Sequence, residues 1–244
     1  MSAVEKEIVG FIRGCVEEAG ATGVVIGLSG GVDSSTVAYL SVRALGSDRV
    51  FALILPSTTT AKQDIEDAKR IAESLGISYE VVEITPIEKA FAKACPRFDE
   101  ANLIAVGNLK PRIRMMALYY YANLINRIVA GTSNKSELLV GYFTKYGDGG
   151  VDILPIGDLY KTQVRWLAEH LGVPKDIVWK TPTAGLWVGQ TDEDELGIKY
   201  EELDVVLYGL IELSMKPEEA VSYTHLRAHE TSLHLVCRLP LEKK

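Results

Sequence analysis

The clearest chemistry in the chain lies in Gly27-Leu28-Ser29-Gly30-Gly31-Val32-Asp33-Ser34-Ser35, which follows the apolar run Val24-Val25-Ile26 and precedes a helix-like stretch over 36–45. A strand, a turn and a helix N-terminus in that order present backbone N–H groups and a positive dipole end to an anion. Adjacent glycines reach backbone angles closed to other residues, so successive amides can turn toward one phosphate. The kinase and GTPase version of such a loop requires Gly-x-x-x-x-Gly-Lys-Ser/Thr. No lysine follows these glycines, which argues against γ-phosphate transfer of that kind. Reduced to a bare double glycine, the stretch would be an ordinary strand-to-helix turn with a serine cap.

Such a loop needs a scaffold on both sides. Val4, Ile8, Phe11, Ile12 and Cys15 recur at helical spacing and predict an opening amphipathic helix that ends near Gly20. After the loop come an apolar strand over 50–55, a helix over 61–75 closed by Gly76, and a strand over 79–84. A long helix over 100–126, a strand over 127–131 and helices over 135–141, 161–171 and 201–213 complete the expected elements. The β-α-β-α-β rhythm predicts a single doubly wound α/β domain, with a parallel sheet flanked by helices and ligands outside the carboxyl ends of the strands.

Ser-Gly-Gly-x-Asp-Ser in this setting resembles the pyrophosphate loop of the ATP pyrophosphatases, which share the adenine nucleotide alpha hydrolase-like fold and cleave ATP between its α and β phosphates. Three further segments narrow the resemblance. They are Gly107-Asn108-Leu109-Lys110-Pro111-Arg112-Ile113-Arg114-Met115-Met116; Gly131-Thr132-Ser133-Asn134-Lys135-Ser136-Glu137 with Gly141 to Asp152; and Lys180-Thr181-Pro182-Thr183-Ala184-Gly185-Leu186-Trp187 with Gly189 to Gly197. Together the four motifs resemble, in order, the ammonia-dependent NAD⁺ synthetases, over about residues 4 to 220. That family adenylates the nicotinate carboxylate of deamido-NAD⁺ with ATP, and ammonia then displaces AMP.

The resemblance implies a role for each matched position. Gly27, Leu28, Ser29, Gly30, Gly31, Val32, Asp33 and Ser34, with Thr132, Lys161 and Thr183, are expected on ATP, Ser29 and Ser34 holding the departing pyrophosphate. Lys161 suits a β or γ phosphate as a point charge. Asp33 and Glu137 leave the ends of two strands expected to be neighbours, where two carboxylates share one Mg²⁺. Asp33 and Lys161 are the expected catalytic pair. Arg112, Lys145 and Asp152 are expected on deamido-NAD⁺, Arg112 suiting a planar carboxylate or phosphate. Isolated from their motifs, Lys161 would be a solvated first-turn residue, Thr132 an N-cap, and Lys110, Arg112 and Arg114 one exposed basic face. Asp148 reads equally as a turn residue and as part of the site. The acidic segment 190–197 reads as a mobile surface loop, and the resemblance adds that it closes over the site.

Composition limits the partners. With 244 residues, 47% hydrophobic, one domain is expected. A net charge of −7 argues against a general grip on nucleic acid. Cys15, Cys95 and Cys237 are scattered, without a zinc spacing, which fits a reducing, cytoplasmic setting. No apolar run is long enough for a membrane span. No amidase domain is expected, so the nitrogen donor is free ammonia or ammonia passed from a partner. The family resemblance further implies a homodimer built on the 100–126 helix. Beyond residue 220 the resemblance fades, and 221–244, with His225, His229 and His234, read as an atypical and possibly non-native tail. Two alternatives compete: another adenylating pyrophosphatase, of guanylate synthetase-like or tRNA-sulfurating type, and an ATP-binding protein impaired by the altered tail.

Overall fold

The computed structural model describes residues 1–187 and 189–227. The elements in chain order are α1 (Ser2–Glu18), β1 (Val24–Gly27), α2 (Val32–Leu45), β2 (Val50–Ile54), α3 (Lys62–Leu75), β3 (Ser78–Val81), α4 (Thr85–Ala94), α5 (Leu103–Leu124), β4 (Ile128–Ala130), α6 (Lys135–Val140), α7 (Lys161–Leu171), α8 (Lys175–Val178), α9 (Asp192–Leu196), α10 (Tyr200–Ile211) and α11 (Pro217–Arg227). The four strands are all parallel, in the order β3-β2-β1-β4.

β1, β2 and β4 are short and apolar because both faces of the sheet are covered there, whereas the edge strand β3, Ser-Tyr-Glu-Val, is largely exposed. Val24, Ile26, Ala52 and Ile54 point into one core with Ile12 and Val16 of α1, Leu40 of α2, Ile71 of α3 and Leu167 of α7. Val25, Leu53 and Val129 point into a second core with Ile113 and Ala122 of α5 and with Ile84. The doubly wound α/β expectation therefore holds.

The strand order dictates where a ligand site forms. β1, β2 and β3 add outward in sequence, and the chain then crosses back through α4 and α5 to lay β4 on the other side of β1. The connections from β1 and β4 leave in opposite senses and open a crevice at their carboxyl ends. Gly30 lets the first connection pass tightly over α3: its φ is +79°, and a Cβ there would lie 2.3 Å from the Asp64 carbonyl oxygen.

Several elements differ from expectation. The third strand ends at Val81, and Thr85–Ala94 form a helix that the sequence reading left out. Its signals were present, because Ile87, Ala90, Phe91 and Ala94 recur at helical spacing and Pro86 in its first turn is a start signal. Helix α2 starts at Val32, not at residue 36, which puts Asp33 and Ser34 in its first turn. The 190–197 segment contains the short helix α9, with Gln190 and Asp192 buried, so its resting form is more than a surface loop. Helix α11 runs across residue 220, and Ala220 is buried. Residues 228–244, which include His229, His234 and Cys237, lie outside the described residues. Among those described, no helix is long and apolar enough to cross a membrane.

Candidate active site

The two diverging connections are joined by side chains. Asn134, directly after β4, donates from Nδ2 to Asp33 Oδ1 at 3.1 Å, across to the first turn of α2. Its own Oδ1 accepts from the Glu137 N–H at 3.1 Å, while its backbone N–H donates to Glu137 Oε2 at 3.2 Å. This is a reciprocal capping box, so Asn134, not Thr132, caps α6. One asparagine thereby sets both carboxylates in place.

Lys161, the first residue of α7, fills the space between them. Its Nζ donates to Asp33 Oδ2 at 2.6 Å and to Glu137 Oε1 at 3.3 Å, and lies 5.0 Å from the centre of the Tyr200 ring. The lysine side chain is 3% exposed, against 18% for Asp33 and 14% for Glu137, which rules out a solvated surface lysine. Burial alone would depress the ammonium pKa, but Asp33 and then Glu137 outweigh it and hold the lysine charged. Glu137 responds the other way: burial pushes its pKa up to about 7, Lys161 opposes that, and the Asp33 charge adds to it. One ammonium thus serves both carboxylates. Asp192 of α9 adds a third, its own pKa raised by burial, and accepts from the Tyr142 and Tyr200 hydroxyls at 3.2 and 3.3 Å.

A second layer fixes the start of α7. The buried Asp204 of α10 accepts from the Ser136 hydroxyl and from the Thr162 N–H, the latter at 2.8 Å. Ser136 Oγ in turn accepts from the Lys161 N–H at 2.9 Å. The first amides of a helix lack partners within it, and here a carboxylate and a hydroxyl from two other helices serve them.

The glycine loop completes the floor. Ser29 Oγ and Ser34 Oγ are 3.0 Å apart, the Ser29 N–H donates to Ser34 Oγ, and the Gly31 N–H donates to Ser29 Oγ. No side chain caps α2 at Gly31, so its positive end is open to an anion. Gly27, Leu28, Ser29, Gly31, Val32, Asp33, Ser34, Thr132, Glu137, Lys161 and Thr183 all line one cavity of about 500 Å³; Gly30 lies behind it. The roof is the stretch from Lys180 to Trp187, tied to α3 by ion pairs from Lys180 to Asp64 and Asp67. It is braced internally by the Thr183 hydroxyl, which donates to the Gln190 carbonyl at 2.7 Å.

The other expected residues are placed differently. Arg112, Lys145 and Asp152 do not line this cavity. Arg112 is exposed, donates to the Lys145 carbonyl at 3.3 Å and borders a second hollow between α4 and α5. Lys145 Nζ lies 5.1 Å from the Tyr146 ring centre. Asp152 accepts from the Tyr119 hydroxyl at 2.9 Å and the Val129 N–H at 2.7 Å, and burial together with that carboxylate pushes Tyr119 up to about 12. Lys110, Arg112 and Arg114 do not share one basic face: Lys110 is buried, and Arg114 turns inward to the Leu55 carbonyl. Asp148 satisfies both of its readings, accepting from the Thr144 N–H within its turn while lining the cavity.

Asn134, Asp192, Tyr142, Tyr200 and Asp204 had no assigned role on sequence grounds. Only the first left a local signal, the Asn-x-x-Glu spacing of a capping box. As for chemistry, an amide-rich loop, an open helix N-terminus and a buried lysine together can hold a polyphosphate and take up the charge that develops on its departing half. Among the described residues no cluster of three or more His, Cys, Asp or Glu forms a metal cage. The Asp33 and Glu137 pair suits instead a hard cation that keeps most of its ligands from water and phosphate.

Comparison with known proteins agrees with this architecture. The family model described as NAD synthase matches residues 4–239. An NH(3)-dependent NAD(+) synthetase from Archaeoglobus fulgidus is 63% identical over 205 residues, covering 84% of this chain and 82% of the relative. Among solved structures, an NMN synthetase from Francisella tularensis superposes with a TM-score of 0.81 at 41% identity, over 93% of this chain and 94% of the other. An NH3-dependent NAD synthetase from Campylobacter jejuni gives a TM-score of 0.73 at 34% identity, over 93% and 92%. A parallel sheet with a lysine-free phosphate loop at its switch point, a matching family model and relatives of this identity lead to one conclusion: the chain belongs to the NAD synthase family.

Proposed function

We propose that this chain is a ligase that amidates deamido-NAD⁺ to NAD⁺, using ATP and ammonia, as the final step of NAD⁺ synthesis. The observation that carries the reading is Lys161, held charged and buried between Asp33 and Glu137 beside a lysine-free glycine loop. A carboxylate is a poor acyl donor because its leaving group would be oxide. Attack of a nicotinate oxygen on the α-phosphorus breaks the bond to the β-phosphate and releases pyrophosphate. The lone pair of ammonia then forms the C–N bond, AMP departs with the electrons of the C–O bond, and the nitrogen loses a proton.

In this reading the loop amides, Ser29 and Ser34 hold the β and γ phosphates, Lys161 takes up charge as pyrophosphate leaves, and Thr132 and Thr183 contact ATP. Asp33 and Glu137 hold Mg²⁺, which when bound supplies charge neutralisation to the phosphates. The fit rests on the donor set of the site, in which the carboxylates of Asp33 and Glu137 face the single ammonium of Lys161. Arg112, Lys145 and Asp152 take deamido-NAD⁺, with lone pairs of Asp152 still free for a ribose hydroxyl. They lie outside the cavity, so in this reading the dinucleotide lies across α5, at a site finished by a second copy. Met116, Tyr120 and Leu124 of α5 fall at one-turn spacing and are 51%, 65% and 65% exposed, an apolar stripe that a homodimer would cover. Residues 1–220 are taken as the synthetase domain, in a cytoplasmic setting.

The decisive assay follows pyrophosphate release from ATP and Mg²⁺ with and without deamido-NAD⁺ and ammonium, with nicotinate mononucleotide as a competing acceptor. Release is expected to require deamido-NAD⁺, with NAD⁺ formed only when ammonium is present, and to fall at least roughly a hundredfold in Asp33→Ala. Release that ignores deamido-NAD⁺, or preference for the mononucleotide, would refute the substrate assigned.

The pH dependence has a definite sign. Because the folded pKa of Glu137 lies near 7 and above its ordinary 4.5, the metal-free fold keeps a proton that the unfolded chain releases, and that stability is lost as pH rises through about 7. Asp148, Asp192 and Asp204 shift in the same direction, so the comparison is made against Glu137→Gln. In EDTA the melting temperature of the parent protein should fall more steeply between pH 5 and about 8 than that of the variant; parallel profiles would contradict the assignment. For assembly, Tyr120→Glu should convert a dimer to a monomer in analytical ultracentrifugation, and a parent protein already monomeric at micromolar concentration would exclude the dimer.

A further inference from the structure

Lys110 lies in the motif that supplies Arg112, yet neither ATP nor the dinucleotide accounts for it. Its residue is 5% exposed, and among the described residues no carboxylate lies within ion-pair distance of its ammonium. Its acceptors are neutral: the Thr59 hydroxyl at 2.9 Å and the Leu186 carbonyl at 2.6 Å. Thr59 in turn donates to the Gly185 carbonyl at 2.9 Å, and the Ser57 hydroxyl lies 3.0 Å from it. One turn earlier on α5, Gly107 leaves the backbone bare against the roof; a Cβ there would lie 3.4 Å from the Trp187 ring and 3.5 Å from Leu186 Cβ.

An ammonium taken from water onto neutral oxygens is costly, and an apolar side chain would pack such a position at lower cost. Burial also pulls this ammonium's pKa down. What the lysine adds is a charge-assisted bond to the 180–187 backbone that lines the cavity. Carbonyls 185 and 186 lie in the same run as Thr183, and Gln190 accepts from the Leu186 N–H through Oε1 at 2.7 Å, so fixing these carbonyls fixes the roof.

We infer that Lys110 and Thr59 are positioning residues that dock the Gly185–Trp187 backbone over the ATP cavity, so that the helix presenting Arg112 also holds the roof in place. The catalytic consequence rests on the synthetase reading: a docked roof keeps water from the acyl-adenylate until ammonia arrives. The docking itself does not depend on that reading.

The test uses the full chain with Lys110→Met, which keeps the length of the stem, and Thr59→Val, which keeps the shape of the threonine. Chymotrypsin reports on the roof directly, because Leu186 and Trp187 are its cleavage sites there. Cleavage at these bonds should quicken roughly tenfold in each variant, with unchanged circular dichroism, as expected from losing a charge-assisted hydrogen bond. At limiting ammonium each variant should also release more pyrophosphate than it forms NAD⁺, whereas the parent protein should keep the two equal. Parent-like cleavage in both variants would overturn the docking role, and faster cleavage with stoichiometric pyrophosphate would overturn the shielding role. If Lys110→Met does not fold, Thr59→Val alone decides both points. A parent protein that forms no NAD⁺ would count against the synthetase reading, while the cleavage comparison would still decide the docking.

Discussion

The structure is organised around an unequal balance of charge: one buried ammonium, Lys161, against Asp33 and Glu137, with Asp192 close behind. Each of the three paired residues lies in the first turn of a different helix, α2, α6 or α7. Their contact therefore locks three helix N-termini into one cluster. Removing a partner from a buried ion pair costs several kcal/mol because the remaining charge has no compensation. That cost holds the cluster together, with two carboxylates against one ammonium.

The sheet provides the location and the helices the chemistry. Reversal of strand order at β1 separates the exits of β1 and β4, and Asn134 spans the gap to Asp33. α10 supports the cluster from outside, with Asp204 on the α7 amides and Tyr200 under the lysine. The roof draws its support from α3 through Lys180 and from α5 through Lys110. The groups that line the cavity thus come from all over the fold, while the residues expected on the dinucleotide gather along α5 and the 141–152 loop, outside the cavity.

What the sequence displays follows from how local each interaction is. The strand-loop-helix unit, Asp33, Glu137 and Lys161 were legible because their residues carry chemistry within contiguous motifs. β1, β2 and β4 were legible because parallel strands buried on both faces are continuous apolar runs. Asp204 and Tyr200 were not, because they act on groups from distant parts of the chain and their own helix is otherwise unremarkable in composition. Lys110 misled in the opposite way: beside two arginines it reads as surface charge, and only the fold turns it inward beneath Gly185 and Leu186. Asp192 was hidden in a segment whose acidity suggests solvent exposure, whereas hydroxyls of Tyr142 and Tyr200 make it tolerable in the interior.

In the proposed reading, Lys161 and a divalent cation answer the same pair of carboxylates, Asp33 and Glu137. The most direct measurement is the thermal stability of Lys161→Met at pH 8, with Mg²⁺ and with EDTA, beside the parent protein. The variant should be about 3–5 kcal/mol less stable in EDTA and should recover more stability from Mg²⁺ than the parent protein does. A variant as stable as the parent in EDTA, and indifferent to Mg²⁺, would contradict that reading.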